Sequence, residues 1–360
     1  MNSIYSTVKT PCLIMESEKI LKVISTFGNQ FGKENVFYAV KANSDISLLQ
    51  LLNDNMVNYE VSSCAELSLL QDMKISGQRI ISAAPIKTKD FVKSAHTMGL
   101  NYFVADSLDE VQKIATYAPA SNVVIRLIVS NRGSEWPLDR KFGVDTRQAI
   151  ELLEEARRLG LSTWGFCFHV GSQCTRSNTW KDAIKKAGIA WRLAEKNGIE
   201  LQGLNIGGGF PIKYIRSVIS VDEIAEMVKS SIREEIPKVK QILVEPGRAL
   251  VGEAGTIVAS VVGKSFRNNE RWLYIDAGVF NALTEVLGGI HYPIEAQVSG
   301  KKIKWKVAGP TCDSMDIVSE QEWLPDLNID DRVVFRSTGA YTTVYASTFN
   351  GYPIPPTILI

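Results

Sequence analysis

A lysine stands directly after one of the most apolar stretches of the sequence. Val36–Val40 is a run of five apolar or aromatic residues, which predicts a buried parallel strand, and Lys41 follows it. A partly buried lysine changes its pKa readily, and its neutral amine forms Schiff bases with carbonyl compounds. The alternative is a strand that reaches the surface and ends in a solvated lysine. The choice between the two depends on which other groups lie near Lys41.

Two glycine-rich segments later in the chain are suited to binding a phosphate group. Gly207–Gly209 and Gly247-Arg248 each follow a predicted strand, and Ser172 adds a hydroxyl donor. Backbone N–H groups in such loops commonly bind phosphate. A Schiff-base lysine together with a phosphate anchor indicates the cofactor pyridoxal 5'-phosphate (PLP).

PLP also requires a carboxylate at its pyridine nitrogen and a flat group against its ring. Glu245 and His169, each at the end of a predicted strand, are the candidates. The alternatives are a core histidine with satisfied hydrogen bonds and an ion pair between Glu245 and Arg248. No metal site is expected, because the three histidines and five cysteines have no metal-ligand spacing.

The elements that must position these residues alternate regularly along two-thirds of the chain. Eight short apolar segments alternate with amphipathic ones, which predicts a parallel (β/α)8 TIM barrel. The predicted strands are Val36–Val40, Asn58–Val61, Arg79–Ser82, Tyr102–Ala105, Asn122–Ile128, Trp164–His169, Gln202–Ile206 and Gln241–Glu245. The predicted helices are Ile46–Asn53, Ala65–Ile75, Thr88–Met98, Leu108–Thr116, Arg147–Leu159, Lys181–Asn197 and Val221–Glu234. Active sites of such barrels lie at the C-terminal ends of the strands, where Lys41, His169 and Glu245 fall.

The pattern changes after about residue 254, and the last third of the chain predicts an antiparallel β-sheet or β-barrel domain. Its segments are short, rich in β-branched residues and separated by turn residues. They are Thr256–Val262, Arg271–Ile275, Ile303–Ala308, Arg332–Phe335 and Thr342–Ser347. We expect an N-terminal strand, Thr10–Met15, to join them. The predicted domains are therefore the barrel at residues 16–253 and a β domain of residues 1–15 and 254–360.

Composition excludes several classes of protein. The chain has 360 residues, of which 45% are hydrophobic, and a formal net charge of +1. This charge gives no reason to expect binding to polymeric nucleic acid or to an anionic membrane, and no apolar run is long enough to span a bilayer. The five cysteines are not spaced as a disulfide framework, so we expect reduced thiols and a cytoplasmic protein.

Several motifs resemble one enzyme family over nearly the whole chain. The matching stretches are Tyr38–Asn43, Phe168–Gln173, Gly207–Pro211, Glu245–Arg248, Gly309–Ser314 and Gly339–Thr342. They resemble the fold-type III PLP-dependent decarboxylases, the group of ornithine, lysine, arginine and diaminopimelate decarboxylases. These enzymes combine an alanine racemase-like barrel with a β domain.

The resemblance implies a role for most of the candidate residues. Lys41 would bind the cofactor covalently, His169 would stack on its ring, and Glu245 would pair with its nitrogen. The implied phosphate ligands are Ser172, Gly208, Gly209, Gly247, Arg248 and Tyr341. Glu60 and Arg126 would belong to the cofactor site, with Glu66 behind them.

The resemblance also implies a homodimer with shared active sites at the interface. Cys312 of the partner subunit would return a proton to the substrate Cα after loss of CO2, and Asp313 of the partner subunit would bind the substrate. The alternative for Cys312 is a small buried hydrophobic residue, the commonest role of a free cysteine. Phe349 is a further substrate contact, and Lys141–Gly143 resembles a mobile loop that covers the site.

Two glycines stand where the family resemblance places a substrate-binding acid. Ornithine and lysine decarboxylases hold the distal amine of the substrate with two acids, one corresponding to Asp313 and the other falling at Gly288-Gly289. Losing such a charge-assisted hydrogen bond costs roughly 1.5–3 kcal/mol, and two glycines also leave space. We therefore expect an α-amino acid with a large side chain as substrate. Glu285 could replace the missing acid, which keeps ornithine and lysine as alternatives.

One resemblance narrows the expected function. The decarboxylase half of the microcin C maturation enzyme acts on a 3-amino-3-carboxypropyl group of a peptidyl nucleotide phosphate, an amino acid with a large side chain. We therefore predict a role in the maturation of a similar antibiotic. The alternative is decarboxylation of ornithine or lysine in polyamine metabolism. The remaining alternatives are a non-catalytic PLP-binding protein and a protein like the antizyme inhibitors. The β domain and Cys312 argue against the first, and Lys41, His169 and Glu245 argue against the second.

Overall fold

A computed structural model describes residues 4–360 of the chain, which divide into two compact units. The barrel unit comprises Lys22–Pro211 and Val218–Ala249, and the β unit comprises the chain up to Leu21, Ile212–Ser217 and Leu250–Ile360. The predicted domain boundaries at residues 15/16 and 253/254 remain a prediction, and residues 1–3 of the predicted β domain lie outside the described residues.

The barrel unit contains eight parallel strands that close on themselves, which confirms the predicted (β/α)8 barrel. They are β1 (Phe37–Ala39), β2 (Asn58–Glu60), β3 (Ile80–Ile81), β4 (Tyr102–Ala105), β5 (Asn122–Arg126), β6 (Ser162–Cys167), β7 (Gly203–Asn205) and β8 (Gln241–Leu243). β1, β2 and β3 pair in order, as do β4 to β8. Single parallel bridges join Ser82 to Phe103 and Val36 to Val244, and the second of these closes the barrel between β8 and β1.

Helices follow the first seven barrel strands at nearly the predicted positions. They are Ile46–Asp54, Cys64–Asp72, Lys89–Thr97, Leu108–Tyr117, Thr146–Arg158, Ser177–Lys196 and Val221–Glu235. Six of the seven begin at a capping side chain that accepts a hydrogen bond from the first turn, the caps being Asp45, Ser63, Thr88, Ser107, Asp145 and Ser220. Within residues 4–360 no helix combines the length and apolar character needed to cross a membrane.

Several further elements were not predicted. The helix Ser17–Phe31 precedes β1, and short helices cover Ile4–Thr7 and Arg248–Val251. Ser134–Trp136 and Ser172–Cys174 form a two-stranded antiparallel ladder. The 3-10 turns are Lys33–Asn35, Val40–Ala42, Gly77–Arg79, Gly252–Ala254, Thr284–Gly288 and Phe349–Gly351.

Side chains from six of the eight strands form a single buried cluster. Its members are Phe37, Ile81, Tyr102, Val104, Val124, Trp164, Cys167 and Leu243. The rings of Tyr102 and Trp164 meet edge to face with their centroids 5.1 Å apart, a favourable aromatic geometry. This packing fixes the strands from which the polar residues at their C-terminal ends project.

The β unit is largely antiparallel, as predicted, with two parallel pairs. Its strands are Cys12–Met15, Gly255–Arg267, Glu270–Ile275, Ile294–Ala296, Lys302–Ala308, Ile317–Pro325, Arg332–Arg336 and Thr357–Leu359. Cys12–Met15 pairs with Gly255–Arg267, so the N-terminal strand joins this sheet as expected, and it pairs in parallel with Thr357–Leu359. The other parallel pair is Glu270–Ile275 with Lys302–Ala308.

The predicted strand Thr342–Ser347 is wrong, because this segment is a series of turns. The backbone enters it through Tyr341 with a left-handed φ of 55°, which a strand does not allow. The Thr342 hydroxyl then donates to the carbonyl of Thr338 at 2.8 Å, and the N–H of Tyr345 donates to Thr342 O at 3.1 Å. The β-branched residues here satisfy local turn hydrogen bonds instead of a ladder.

A buried group of charges joins the segment after β3 to the helix after β4. The Lys87 side chain is fully buried, and its ammonium lies 2.9 Å from Glu110 Oε1 and donates to the carbonyls of Ala84 and Val104. Lys113 binds the other carboxylate oxygen of Glu110 at 2.6 Å. Burial lowers the pKa of Lys87 to about 8, and Glu110 counteracts this effect.

We expect Glu110→Gln to destabilise the protein by about 3–5 kcal/mol, since it leaves a buried ammonium without its counter-charge. The urea midpoint of the purified variant measures the effect. Glu151→Gln is the matched control, because its ion pair with Arg147 is solvent-exposed and such pairs contribute little. Equal losses in both variants would contradict a structural role for the buried pair.

Candidate active site

The structure brings ten of the predicted site residues together in the barrel unit. They are Lys41, Glu60, Arg126, His169, Ser172, Gly208, Gly209, Glu245, Gly247 and Arg248. The other six predicted residues belong to the β unit and are Cys312, Asp313, Tyr341, Gly288, Gly289 and Phe349. The site is therefore described from the barrel first.

Lys41 is held at the open end of the barrel by the turn that follows β1. The chain leaves the strand through the 3-10 turn Val40–Ala42, whose two apolar residues are buried while the Lys41 side chain is 44% exposed. The Tyr38 hydroxyl fixes the turn by donating to Asn43 O at 2.8 Å. The Lys41 ammonium forms an ion pair with Glu60 at the end of β2. The lysine is thus held against a buried acid and is not simply solvated.

Glu60 and Glu66 share one support at the end of β2. The Ser62 hydroxyl donates to Glu60 at 3.0 Å, and the Ser62 N–H donates to Glu66 at 2.6 Å. Burial raises the pKa of Glu66, the Ser62 N–H lowers it, and the neighbouring Glu60 charge raises it again. Lys41 therefore faces a pair of acids that are both anchored by Ser62, one through its hydroxyl and one through its N–H.

Glu245 is a buried carboxyl group of the site. Its side chain accepts a hydrogen bond of 2.5 Å from the Asn205 amide at the end of β7. Burial raises the pKa of Glu245 to about 7, and the charge of Glu60 adds to this, whereas Lys41, Asn205 and Arg126 lower the pKa. A buried acid that gains from a nearby positive charge is well suited to a protonated pyridine nitrogen.

His169 presents a neutral imidazole to the same space. Burial first, and then the positive charges of Arg126 and Lys41, lower its pKa to about 3. Its Nδ1 accepts the N–H of Gly171 at 3.0 Å, so the ring proton lies on Nε2. The carbonyl of His169 accepts a bond of 3.0 Å from the Asn131 amide. These contacts fix a flat, uncharged ring of the kind that can stack on another ring.

The glycine loop after β7 leaves no room for side chains. Gly207 and Gly209 have left-handed φ values of 67° and 92°, which favour glycine. A Cβ added at Gly208 would lie 2.7 Å from the carbonyl oxygen of Glu245 and 3.5 Å from the Nε2 of His169. The backbone can therefore approach a ligand as closely as phosphate binding requires.

Arg248 and Ser172 meet beside this loop. The guanidinium of Arg248, which is 4% exposed, donates to the Ser172 hydroxyl from Nη2 at 3.1 Å and from Nε at 3.4 Å. Gly247 precedes Arg248 at the start of the short helix Arg248–Val251. A guanidinium, a hydroxyl and a glycine loop together form a donor set for an anionic group.

The donor set fits PLP. The barrel unit supplies an amine, a buried acid, a neutral imidazole and a glycine loop with an arginine, and any side chain at Gly208 would fill the space beside the imidazole.

Arg126 lies against the ring of Phe142 at 5.4 Å, and Asp106 accepts the N–H of Gly143 at 2.8 Å. These two contacts place the Lys141–Gly143 segment next to β5.

Three residues at the site were missed by sequence reasoning. Asn205 links Glu245 to Gly207, Tyr102 accepts a hydrogen bond from Asn205, and Ser62 donates to both Glu60 and Glu66. A signal existed for Asn205, because it is a polar residue at the end of a predicted buried strand and immediately precedes the glycine loop. Nothing in the sequence indicated Tyr102, since its partner lies on a strand that is not its neighbour.

The β unit holds the other predicted residues on its surface. Cys312 is exposed, which disagrees with a buried structural cysteine, and its N–H donates to Asn350 Oδ1 at 3.0 Å. Asp313 is exposed and accepts the N–H of Met315 at 2.8 Å. Tyr341 has its ring centroid 5.8 Å from that of Tyr345, and the Phe349 ring lies 5.1 Å from that of Phe280.

The predicted substrate-pocket glycines end a 3-10 turn, Thr284–Gly288, in the β unit. Gly289 has a left-handed φ of 93°, and a Cβ at this position would meet nothing within 4 Å. Glu285 is 2% exposed. The two glycines therefore border open space, whereas the alternative acid lies inside the unit.

Comparison with known proteins defines the class of protein. Residues 17–252 match the family "Pyridoxal-dependent decarboxylase, pyridoxal binding domain". The chain therefore belongs to the pyridoxal-dependent decarboxylases, a family of PLP-dependent carboxy-lyases, and its cofactor is PLP.

Individual relatives are similar over most of their length. The lysine/ornithine decarboxylase of Selenomonas ruminantium is 30% identical over 354 residues, which cover 98% of this chain and 90% of the relative. Antizyme inhibitor 2 of Xenopus laevis is 30% identical over 339 residues, 89% of this chain and 74% of the relative. The crystal structure of SrLDC in complex with PLP and cadaverine superposes with a TM-score of 0.92 at 30% identity and covers 99% of this chain and 92% of that chain.

The raised pKa of Glu245 makes a prediction for the cofactor-free protein. The pKa of a carboxyl can be higher in the folded protein than in the unfolded chain. Such a group contributes its full stabilisation at pH values below the pKa of the unfolded chain, and this stabilisation is lost as the pH rises through the pKa of the folded protein. For Glu245 this window extends from about 4.5 to about 7. Glu245→Gln does not ionise, so we expect it to become progressively more stable than the wild type between these pH values.

Thermal unfolding of both cofactor-free proteins at several pH values measures the difference. Glu154→Gln, an exposed position on the helix Thr146–Arg158, is the control. Parallel pH dependence in wild type and Glu245→Gln would show that the Glu245 carboxyl is not destabilised by burial.

Proposed function

We propose that this protein catalyses the α-decarboxylation of an amino acid with a large side chain. One observation supports this type of reaction: the amine of Lys41 and the buried acid Glu245 both lie near Glu60 at one end of the barrel. When bound with its ring nitrogen protonated, PLP would supply the electron sink that loss of CO2 from an α-amino acid requires.

The chain's own residues prepare the site for this chemistry. Lys41 supplies the amine that carries the cofactor and is held ready by Glu60. Glu245 keeps a proton on the ring nitrogen, because a buried carboxylate gains from a neighbouring positive charge. His169 is neutral and packs against the ring without repelling that charge. Arg248, Ser172 and the glycine loop hold the phosphate.

The proton that replaces CO2 comes from the β unit of a second copy of the chain in this proposal. Cys312 is an exposed thiol on that unit, with Asp313 beside it. In a homodimer with shared sites, Cys312 of the partner subunit donates the proton and Asp313 of the partner subunit binds the substrate. The exposure of both residues supports this assignment, since a buried thiol could not reach another subunit.

The substrate proposal rests on the open space at Gly289. A 3-amino-3-carboxypropyl group on a nucleotide or peptidyl-nucleotide phosphate, as in maturation of a microcin C-like antibiotic, has the size that such an opening admits. The second candidate is decarboxylation of L-ornithine or L-lysine in polyamine metabolism. It is favoured by the lysine/ornithine decarboxylase relative and by Asp313, one acid able to bind a distal amine.

CO2 release by the PLP-loaded protein tests the proposal. The substrates are ornithine, lysine, arginine, diaminopimelate and a phosphate-linked 3-amino-3-carboxypropyl nucleotide. Turnover of the nucleotide alone supports the proposed substrate, and efficient turnover of ornithine or lysine supports the second candidate. PLP binding with no CO2 release from any of them would contradict decarboxylation and favour a non-catalytic protein like the relative named antizyme inhibitor 2.

We expect Lys41→Ala to abolish CO2 release and to remove the covalent absorbance band of the bound cofactor, because Lys41 is the amine held against Glu60 at this end of the barrel. Lys93→Ala, an exposed lysine of the helix Lys89–Thr97, is the control and should retain wild-type turnover. Substantial turnover by Lys41→Ala would refute the assignment.

We expect Gly289→Asp to increase kcat/KM for ornithine, since an added carboxylate restores a charge-assisted hydrogen bond worth roughly 1.5–3 kcal/mol, or about ten- to a hundredfold. The left-handed φ at this position strains any side chain. Gly289→Ala carries the same strain without the charge and is the matched control. If both variants gain equally or neither gains, Gly289 does not border the substrate pocket.

A further inference from the structure

Asn205 is a fully buried polar residue at the end of β7 whose role is not explained by the assignments above. A side-chain amide has two N–H donors and one acceptor oxygen, and buried polar groups need partners. Its Nδ2 donates to Glu245 Oε1 at 2.5 Å and to the Tyr102 hydroxyl at 3.0 Å, and its Oδ1 accepts the N–H of Gly207 at 2.9 Å. These three bonds lie between the predicted acid and the predicted glycine loop.

The partners allow only one orientation of this amide. The backbone N–H of Gly207 can only donate, and an ionised Glu245 can only accept. Rotating the amide by half a turn would place its oxygen against the carboxylate and its NH2 group against the N–H of Gly207. Asn205 is therefore a donor fixed in advance toward Glu245.

The same contacts form a closed ring of hydrogen bonds. Asn205 donates to the Glu245 side chain, the N–H of Glu245 donates to the carbonyl of Gly207 at 2.9 Å, and the N–H of Gly207 donates back to Asn205. Gly207 is thus bound through both of its backbone polar groups. Neither the acid nor the start of the glycine loop can move without breaking a bond of this ring.

Asn205 differs from the other groups that influence Glu245. Glu60 faces it from β2, Lys41 from the turn after β1, Arg126 from β5, Tyr102 from β4 and Cys167 from β6. Lys41 carries the cofactor and cannot remain a constant partner, and Glu60 repels the Glu245 charge. Asn205 keeps the same charge and the same donors at every pH at which the protein works.

We propose that Asn205 is a positioning residue: its amide orients the Glu245 carboxylate and fixes the start of the glycine loop. The two ends of the bound cofactor, its ring nitrogen and its phosphate, are thereby held at a set separation by one side chain. This proposal rests on the proposed placement of PLP between Glu245 and the glycine loop.

Two variants separate these contacts. Asn205→Ala removes the bonds to both Glu245 and Gly207. Asn205→Asp has the same shape and keeps an acceptor for Gly207, but it can donate to Glu245 only while the introduced carboxyl is protonated. Asn35→Ala is the control, because it removes side-chain amide bonds to Phe31 O and to Gln241 just before β1, at the opposite end of the barrel strands.

The readouts are the Kd of PLP from titration of the cofactor-free protein, the pH dependence of the absorbance of bound PLP, and kcat with KM. We expect Asn205→Ala to raise the Kd by at least about tenfold, as for loss of a hydrogen bond to a charged group, and to lower kcat more than it changes KM. Asn205→Asp should bind PLP more tightly than Asn205→Ala at low pH, and its affinity for PLP and its activity should fall as the introduced carboxyl ionises with rising pH. Asn35→Ala should keep the wild-type Kd and pH profile.

A wild-type Kd and pH profile in Asn205→Ala would overturn the proposal, and so would an unchanged pH profile in Asn205→Asp. If Asn205→Ala does not fold, the comparison of Asn205→Asp with Asn35→Ala decides the question. If the wild type binds PLP but releases no CO2, the proposed function fails, while the Kd values still test Asn205.

Discussion

The structure of the site depends on keeping one buried carboxyl group in position and ready to ionise at the C-terminal ends of the barrel strands. Glu245 lies where burial and a neighbouring acid both favour its neutral form, and the surrounding residues act against this. Asn205 donates to it, Arg126 and Lys41 contribute positive charge, and Gly207 binds its backbone. In the proposed placement of PLP, a cationic ring nitrogen would complete the balance, so the site would be most stable in the state in which it works.

The positions of the reactive residues were predictable because they depend on strand order alone. Lys41, His169 and Glu245 each follow an apolar segment, and all strands of a parallel barrel end on the same side, so their meeting follows from the βα alternation. The bounds of some helices were also predicted closely. One example is the helix Leu108–Tyr117, which was predicted at Leu108–Thr116. Capping residues mark these helix starts in the sequence.

The supporting hydrogen bonds could not be predicted in the same way. The bond from Asn205 to Tyr102 spans β7 and β4, which are separated by two strands in the sheet, so it depends on how a closed barrel brings distant strands together across its interior. The prediction of a strand at Thr342–Ser347 was wrong for a different reason. The β-branched residues of this segment are typical of a strand, but its hydrogen bonds are those of turns. Side-chain chemistry overrides local propensity in such places.

The barrel closes through a single bridge between Val36 and Val244, and this has a consequence for how the site comes into being. Lys41 directly follows the first strand and Glu245 the last, so the amine and the acid lie near opposite ends of the barrel sequence and become neighbours only when the ring of strands is complete. During synthesis the lysine and its partner Glu60 emerge long before the acid and Arg248. Any cofactor that reaches the nascent chain therefore finds an amine without the groups that retain it. The complete donor set therefore exists only in a chain that has folded to the end of the barrel.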